Sequence, residues 1–333
     1  MVKGVPGLDG VVELATVVRN GFVESRHFGM AVALSPTGAP IFAAGDVDAV
    51  ILPRSTAKPL QAVGTLVAGA ELDGPATAIA AGSHTGEDRH VVVVDQMLAA
   101  AGLDRSALGC PADRPEDEAT RFRLIAEGIE PEPVRMNCSG KHAAMLLGAV
   151  VLAQRNGVAG SPAPGASAAH YLDPAAPVQQ VIQSEVERLT GATTDIVTVD
   201  GCGAPLLGMP LSGLARAFSR LATATPGTPD HQVATAMREH PEYVGGRGHV
   251  NSDTMRLLPG VLAKGGAEGV IAMATQDGHA VAVKVIDGNP RATTALALAL
   301  LEKCGADVTP ASTLRHVPVL GAGRPVGEIV PSI

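Results

Sequence analysis

The stretch Arg54-Ser55-Thr56-Ala57-Lys58-Pro59 pairs a serine with a lysine at a spacing that could do chemistry. A serine hydroxyl is a poor nucleophile at neutral pH until a base stands within hydrogen-bond reach. Residues three apart share one helix face, so Ser55 and Lys58 can meet there. Proline is tolerated only in a helix's first turn, and the extended run Val50-Ile51-Leu52-Pro53 leads into Pro59. The pair therefore stands where extended chain turns into helix, with backbone N–H groups still unpaired nearby. Such a place can activate a hydroxyl and stabilise an oxyanion. The plainer alternative is a capping serine with a solvated lysine one turn on. Ser-x-x-Lys is common, so its meaning depends on the rest of the chain.

Four further segments set small polar residues among glycines or apolar neighbours. Gly82-Ser83-His84-Thr85-Gly86 follows the apolar Ala78-Ile79-Ala80-Ala81. It reads either as a helix end with an N-cap for the next helix, Glu87 standing three residues beyond His84, or as a loop whose glycines admit a ligand. Leu262-Ala263-Lys264-Gly265-Gly266 ends one strand on a lysine that can point into a cleft, the glycines letting substrate lie against the backbone. Its alternative is an exposed turn lysine. Two lysines near two serines disfavour each other's charged forms, and burial adds to that, so one can serve as a neutral base. Asn137-Cys138-Ser139-Gly140-Lys141-His142 opens a helix, and Asp200-Gly201-Cys202-Gly203 follows the strand Ile196 to Val199. Two cysteines in tight polar turns are plausible ligands for an ion such as zinc. Chemistry alone selects Cys138, His142 and Cys202. The competing reading is two buried structural cysteines.

The elements that must position these groups follow from the apolar pattern. Val11 to Val18 and Phe28 to Leu34 read as strands, Ser35-Pro36-Thr37-Gly38 as a turn, and Ile41 to Ala43 as extended again. Near the other end, Glu268 to Thr275, the turn Gln276-Asp277-Gly278 and Ala280 to Ile286 form a hairpin, followed by a helix over Pro290 to Cys304. The middle is mostly helical: Thr56 to Ala70, Glu87 to Ala101, Ser139 to Asn156, Val178 to Thr190, Ser212 to Ala222 and Asp230 to Glu239. Gly157 to Pro177, rich in Gly, Ala, Ser and Pro, reads as a surface loop. The expectation is α/β (α+β): one catalytic domain over 1–333, with an antiparallel sheet from both chain ends packed against a helical middle at about 56–260. Serine β-lactamases share that arrangement, and their three active-site elements come in the same order as Ser-x-x-Lys, a serine turn and Lys-Gly-Gly.

Composition narrows the partners. Of 333 residues, only two are Tyr, five Phe and none Trp, too few for stacking nucleic-acid bases. A formal net charge of −8 disfavours a phosphate backbone, so no nucleic-acid partner is expected. The longest apolar run, Ala143 to Ala153, is short for a membrane span, and Met1 to Gly7 shows no apolar signal region. The expectation is a soluble cytoplasmic protein with no membrane partner. Cys110, Cys138, Cys202 and Cys304 are too scattered for a disulfide framework.

Jointly the five motifs resemble the class 3 (Rhizobium-type) L-asparaginase family, distinct from the bacterial type I/II and plant-type enzymes. The resemblance runs from Val11 to about Ala306 and includes Ala263-Lys264-Gly265-Gly266. It implies hydrolysis of L-asparagine to L-aspartate and ammonia by a homodimer of serine β-lactamase/glutaminase-like fold. Two Ser–Lys tandems are implied at Ser55 with Lys58 and at Ser83 with Lys264. A zinc ion, structural or substrate-orienting, is implied at Cys138, Lys141 and Cys202. Arg54, His142 and Asp200 match residues placed around the substrate. A lysine ligand must be neutral to donate its lone pair. The expected chemistry is attack by Ser55 with Lys58 as base.

Two rival classes remain. A β-lactamase or penicillin-binding relative would share the three-element order, but the chain lacks a Ser-x-Asn second element and a Lys-Thr-Gly third. A non-catalytic zinc- or amino-acid-binding protein would keep the metal ligands without needing both Ser–Lys pairs. Selectivity between asparagine and glutamine is not legible, because one methylene is worth only about 1–3 kcal/mol.

Overall fold

The computed structural model describes residues 4–155 and 170–333. Its main sheet contains eight antiparallel strands among those residues, in the order β11-β12-β1-β2-β10-β9-β8, with β3 also paired to β2. These are β1 (Val12–Arg19), β2 (Phe22–Leu34), β3 (Pro40–Ala44), β8 (Leu262–Gly266), β9 (Val270–Ala274), β10 (Ala280–Val285), β11 (Val317–Gly321) and β12 (Arg324–Pro331). Both chain ends thus build the sheet, as the apolar pattern predicts. Asn20 and Gly21, at φ 46° and 79°, turn β1 into β2. Two left-handed residues match the twist of the flanking strands, and Asn-Gly adopts them most cheaply.

All six residues of β10 are buried, with helices Leu211–Ala222 and Thr293–Lys303 packed on it. The first helix turns Leu211, Leu214, Ala215, Phe218 and Leu221 inward at helical spacing. Buried apolar residues form one connected core from Val11 to Ile329. With few aromatics, Ala, Val and Leu supply most of it.

The middle of the chain is helical with two small strand pairs inserted. β4 (Val50–Ile51) pairs β7 (Met209–Pro210), and β5 (Val197–Val199) pairs β6 (Pro205–Leu207). The predicted helices appear with shifted ends: Lys58–Val67, Asp88–Ala100, Ser139–Arg155, Pro177–Thr190, Leu211–Ala222 and Pro229–Glu239. Of the predicted loop Gly157 to Pro177, residues through 169 lie outside the described residues, as does Asn156, and Pro177 opens a helix. Helices Gly74–Ala80, Glu118–Ala126 and Val250–Leu257 and the β11–β12 hairpin are additional to the sequence expectation. None of the helices is long and apolar enough to cross a membrane, among the described residues.

One cap differs from expectation. The helix Asp88–Ala100 is capped by Glu87, not His84. The Glu87 N–H donates to His90 Nδ1 (3.1 Å), which frees the Ser83–Thr85 loop from capping duty.

Candidate active site

β4 delivers the chain into a tight 3-10 turn, Arg54–Ala57, that runs on into the helix Lys58–Val67. Arg54 itself is left-handed (φ 51°), a conformation that costs a non-glycine residue energy. Its guanidinium is held: Nε donates to Asp200 Oδ1 at 2.7 Å, and Nη1 lies 3.7 Å from Glu268. The edge strand β8 presses against this turn. A Cβ on Gly266 would fall 2.7 Å from Thr56 Oγ1 and 2.9 Å from Pro53 O. The Lys-Gly-Gly glycine therefore admits the serine-bearing turn, where the sequence suggested room for substrate.

The loop Gly82–Gly86 is threaded between two backbone segments. The Ser83 N–H donates to Val244 O (2.7 Å), Thr85 N–H to Gly245 O (2.7 Å) and His84 N–H to Asn137 O (3.1 Å). A Cβ on Gly82 would meet Tyr243 O and Val244 O at 2.8 Å. Its glycines thus serve close approach of protein to protein. His84 is buried, accepts from the Gly86 N–H at Nδ1 (3.2 Å) and contacts Ser139 Oγ through Nε2 (2.9 Å). Burial first, then His90 and Lys58, hold it well below the usual histidine range.

Ser83 joins the two lysines. Lys58 Nζ donates to Ser83 Oγ at 2.9 Å, and Lys264 Nζ lies 3.0 Å from the same oxygen. Lys58 also reaches Asn137 O at 3.4 Å. The expected contact between Ser55 and Lys58 is absent among the described residues. The two side chains do share a turn, but Lys58 is fully buried and extends inward to Ser83, while Ser55 is only half-buried. The observed pairs are Lys58–Ser83 and Ser83–Lys264, with Ser55 three residues before Lys58 and less buried than either lysine. Burial first, then the neighbouring Lys58, hold the Lys264 amine well below the usual lysine range. Lys264 is thereby suited to accept a proton.

The cysteines gather at the start of the helix Ser139–Arg155. Lys141 Nζ donates to Cys202 Sγ at 3.2 Å, and Cys138 donates to Asn137 Oδ1 at 3.0 Å. All three side chains are buried. A hydrogen bond from Cys202 leads the effects that draw the Cys138 thiol well below its ordinary range. Burial opposes the Lys141 ammonium, but Cys138, Cys202 and Asp200 outweigh it and hold that group up. No cluster of three or more His, Cys, Asp or Glu comes together among the described residues, so a metal held here would need Lys141 as its third donor. The Lys141–Cys202 separation is close to the roughly 3.6 Å edge of a tetrahedral sulfur/nitrogen site. Two buried thiols and an amine are donors of the kind zinc takes, once Lys141 has given up its proton.

His142 departs from the ligand set that chemistry alone selects. Its Nδ1 takes the Tyr171 hydroxyl (2.6 Å), which in turn accepts from the Gly109 N–H (2.8 Å). The Nε2 is buried with no partner among the described residues. Asp200 is mostly buried; burial pushes its carboxyl up, but Lys141, Arg54 and the Gly201 N–H outweigh this and hold it down. It is ionised beside Arg54.

Sequence reasoning gave no role to several residues that structure brings here. Asn137 donates to Glu116 Oε1 (2.7 Å) and offers its carbonyl to Lys58. Its position beside Cys138 is the only signal it carries. Tyr171, Asn251 and His249 lie outside the motifs and reach the site through folding, whereas Glu268 stands two residues past Gly266.

The family model described as L-asparaginase II matches residues 15–331. No curated protein matches the chain. Among solved structures, Mglu in its native form is similar at 17% identity and a TM-score of 0.42, over 85% of this chain and 63% of that one. Mglu in its tris and glutamate form is similar at 16% identity and a TM-score of 0.44, over 91% and 64% respectively. A beta-lactamase from Mycobacterium bovis is similar at 15% identity and a TM-score of 0.41, over 83% and 94%. The chain thus spans less than two thirds of the length of Mglu.

Proposed function

The chain belongs to the L-asparaginase II family and is an amidohydrolase, and on that premise we propose that it hydrolyses L-asparagine to L-aspartate and ammonia through a serine activated by paired lysines. The observation that carries this reading is Ser83 Oγ held between Lys58 and Lys264, at 2.9 Å and 3.0 Å, with the more accessible Ser55 three residues before Lys58. Ser55 attacks the side-chain amide carbon. One proton is shared between Lys58 and Lys264 through the Ser83 hydroxyl, so its passage to Lys264 leaves Lys58 free to take the Ser55 proton. Lys58 then returns a proton to the departing nitrogen, and ammonia leaves an acyl-enzyme. Water attacks the acyl carbon by the same relay in reverse, releasing aspartate.

The charged ends of a free amino acid suit Arg54 and Asp200, the first for the α-carboxylate and the second for the α-ammonium. Asp200 Oδ1 is taken by Arg54 and the Gly201 N–H, which leaves its second oxygen for substrate. His142 Nε2, buried and unpartnered, is available as a further polar contact.

Ammonia release from L-asparagine and L-glutamine, measured side by side, tests the substrate. Asparagine is expected to be preferred by about 10- to 200-fold in kcat/KM, the range a single methylene commands. Release from neither by folded, metal-replete protein would defeat the assignment.

Cys138, Lys141 and Cys202 are the residues that would hold zinc, and a bound ion would supply a fixed positive charge for orienting substrate. The nucleophile and the base remain with the serines and lysines. Cys138→Ser is expected to reduce zinc from about one ion per chain to almost none by elemental analysis. Its thermal midpoint should also fall, since a ligand that binds only the folded state stabilises it. Equal zinc in variant and parent would remove Cys138 from the site.

A further inference from the structure

Lys264 is useful only if its lone pair faces Ser83, and its own backbone helps to set that direction. β8 is the edge of the sheet among the described residues, and both backbone groups of Gly265 are taken by side chains. The Gly265 N–H donates to Asn251 Oδ1 at 2.8 Å, and the Gly265 carbonyl accepts from Lys264 Nζ at 2.5 Å. A neutral amine has two hydrogens and one lone pair. Once Gly265 O takes one hydrogen, the amine can turn its lone pair toward Ser83 Oγ, 3.0 Å away. Ser83 already accepts from Lys58, so its own hydrogen is free to point at Lys264.

The group that holds Gly265 on its N–H side comes from elsewhere in the chain. Asn251 stands in the first turn of the helix Val250–Leu257, with its N–H donating to His249 Nδ1 at 3.2 Å. It is 1% exposed, and its Nδ2 has no partner among the described residues. Burying an unsatisfied amide costs stability. An apolar side chain of the same size would pack there more cheaply, so the amide needs a purpose other than packing. The close approach of Asn251 Oδ1 to Gly265, 3.3 Å from where a Cβ would stand, explains a glycine directly after the lysine.

We propose that Asn251 is a positioning residue for Lys264: it holds Gly265 by its N–H, and the carbonyl of that same residue orients the Lys264 amine toward Ser83. The inference rests on the serine–lysine reading given above, so its test includes a readout that needs no turnover. Titrating protein carrying 13Cε-labelled lysine, with the Lys264 signal assigned by its loss in Lys264→Met, reports the protonation of that amine directly. Asn251→Asp keeps the acceptor for the Gly265 N–H and places a carboxylate beside the clamp. A nearby negative charge favours the ammonium, so the Lys264 midpoint is expected to rise by about one pH unit or more. The other groups facing Lys264 are Lys58 and Ser83, Cys138 and Lys141 at the neighbouring helix start, Glu116 and His249. They are common to both proteins and cancel in the comparison.

Asn251→Leu fills the same volume without the acceptor. Its kcat for L-asparagine is expected to fall by about 10- to 100-fold with KM changed less than about twofold, the signature of a group that matters only during reaction. An unmoved Lys264 midpoint in Asn251→Asp would overturn the proposal, and so would a kcat within twofold of the parent in folded Asn251→Leu. Should the parent release no ammonia at all, the functional reading fails, while the 13Cε midpoints still decide the role of Asn251. Should Asn251→Leu fail to fold, those midpoints again decide it.

Discussion

Ser55→Ala is expected to lower kcat for L-asparagine by about 10⁴-fold or more, the scale of losing the attacking atom in a unit that acts together. Ser55 and Ser83 are rivals for that role, and they differ in access. Ser55 is half-buried next to Arg54, whose partner Asp200 supplies the opposite charge that a free amino acid requires. Ser83 is 8% exposed and already committed to Lys58 and Lys264. A substrate carbon can approach Ser55 without breaking that chain of three, whereas attack by Ser83 would have to displace part of it. Ser83→Ala is accordingly expected to cost less, about 10²- to 10⁴-fold, by interrupting proton transfer. The competing assignment draws on those same two lysine contacts, which activate Ser83 more directly than Ser55. Acid-quenched mixtures with substrate, digested and weighed by mass spectrometry, separate the two. The aspartyl adduct should sit on the peptide carrying Ser55 and persist at a reduced level in Ser83→Ala. An adduct on Ser83, or near-normal turnover by Ser55→Ala, would reverse the roles. Loss of a half-exposed hydroxyl should change stability by no more than about 0.5 kcal/mol, so unfolding will not mimic the result.

The legible part of this protein is whatever local sequence can carry. Alternation and turn chemistry mark the strands at both ends, and Pro59 with the preceding extended run locates the serine turn to within a residue. Lys141 and Cys202, far apart in sequence, meet at 3.2 Å, and both are buried. Partner choice within the site was not legible. The spacing of Ser55 and Lys58 fits a regular helix, yet the turn there is 3-10 and the buried lysine finds Ser83 instead. Likewise the glycines after Lys264 signal close approach without saying to what. Only the fold shows that Asn251 and the serine turn fill those places. Tyr171 and Asn251 act across long sequence separations through single hydrogen bonds, and no periodicity records such contacts.

Lys264→Met should make the protein almost inactive and at the same time more stable at neutral pH. The loss follows from removing the acceptor that frees Lys58 to act as base, a proton-transfer contribution worth about 10²–10⁴-fold in rate. The gain follows from what the lysine costs where it stands. Its amine is fully buried, and burial together with Lys58 holds it well below the usual lysine range. Native protein therefore binds this proton less readily than the unfolded chain does. Between the depressed folded value and the ordinary unfolded one, the unfolded state carries the extra proton. Stability then rises with pH across that window and is lowest below it, where the native state must accommodate a buried ammonium. Methionine has similar length and no charge to desolvate, so it removes both the cost and the slope. Thermal midpoints should exceed the parent's by about 2 °C or more at pH 7, with the gap narrowing toward pH 10. The activity of the parent should fall on acidification as Lys264 gains its proton, whereas any residual rate in the variant should lack that limb. A variant less stable than the parent at pH 7, or a gap that widens with pH, would mean that Lys264 is held as a stabilised ammonium. Ser83 would then have two charged donors and no base, and the relay between the lysines would have to be abandoned.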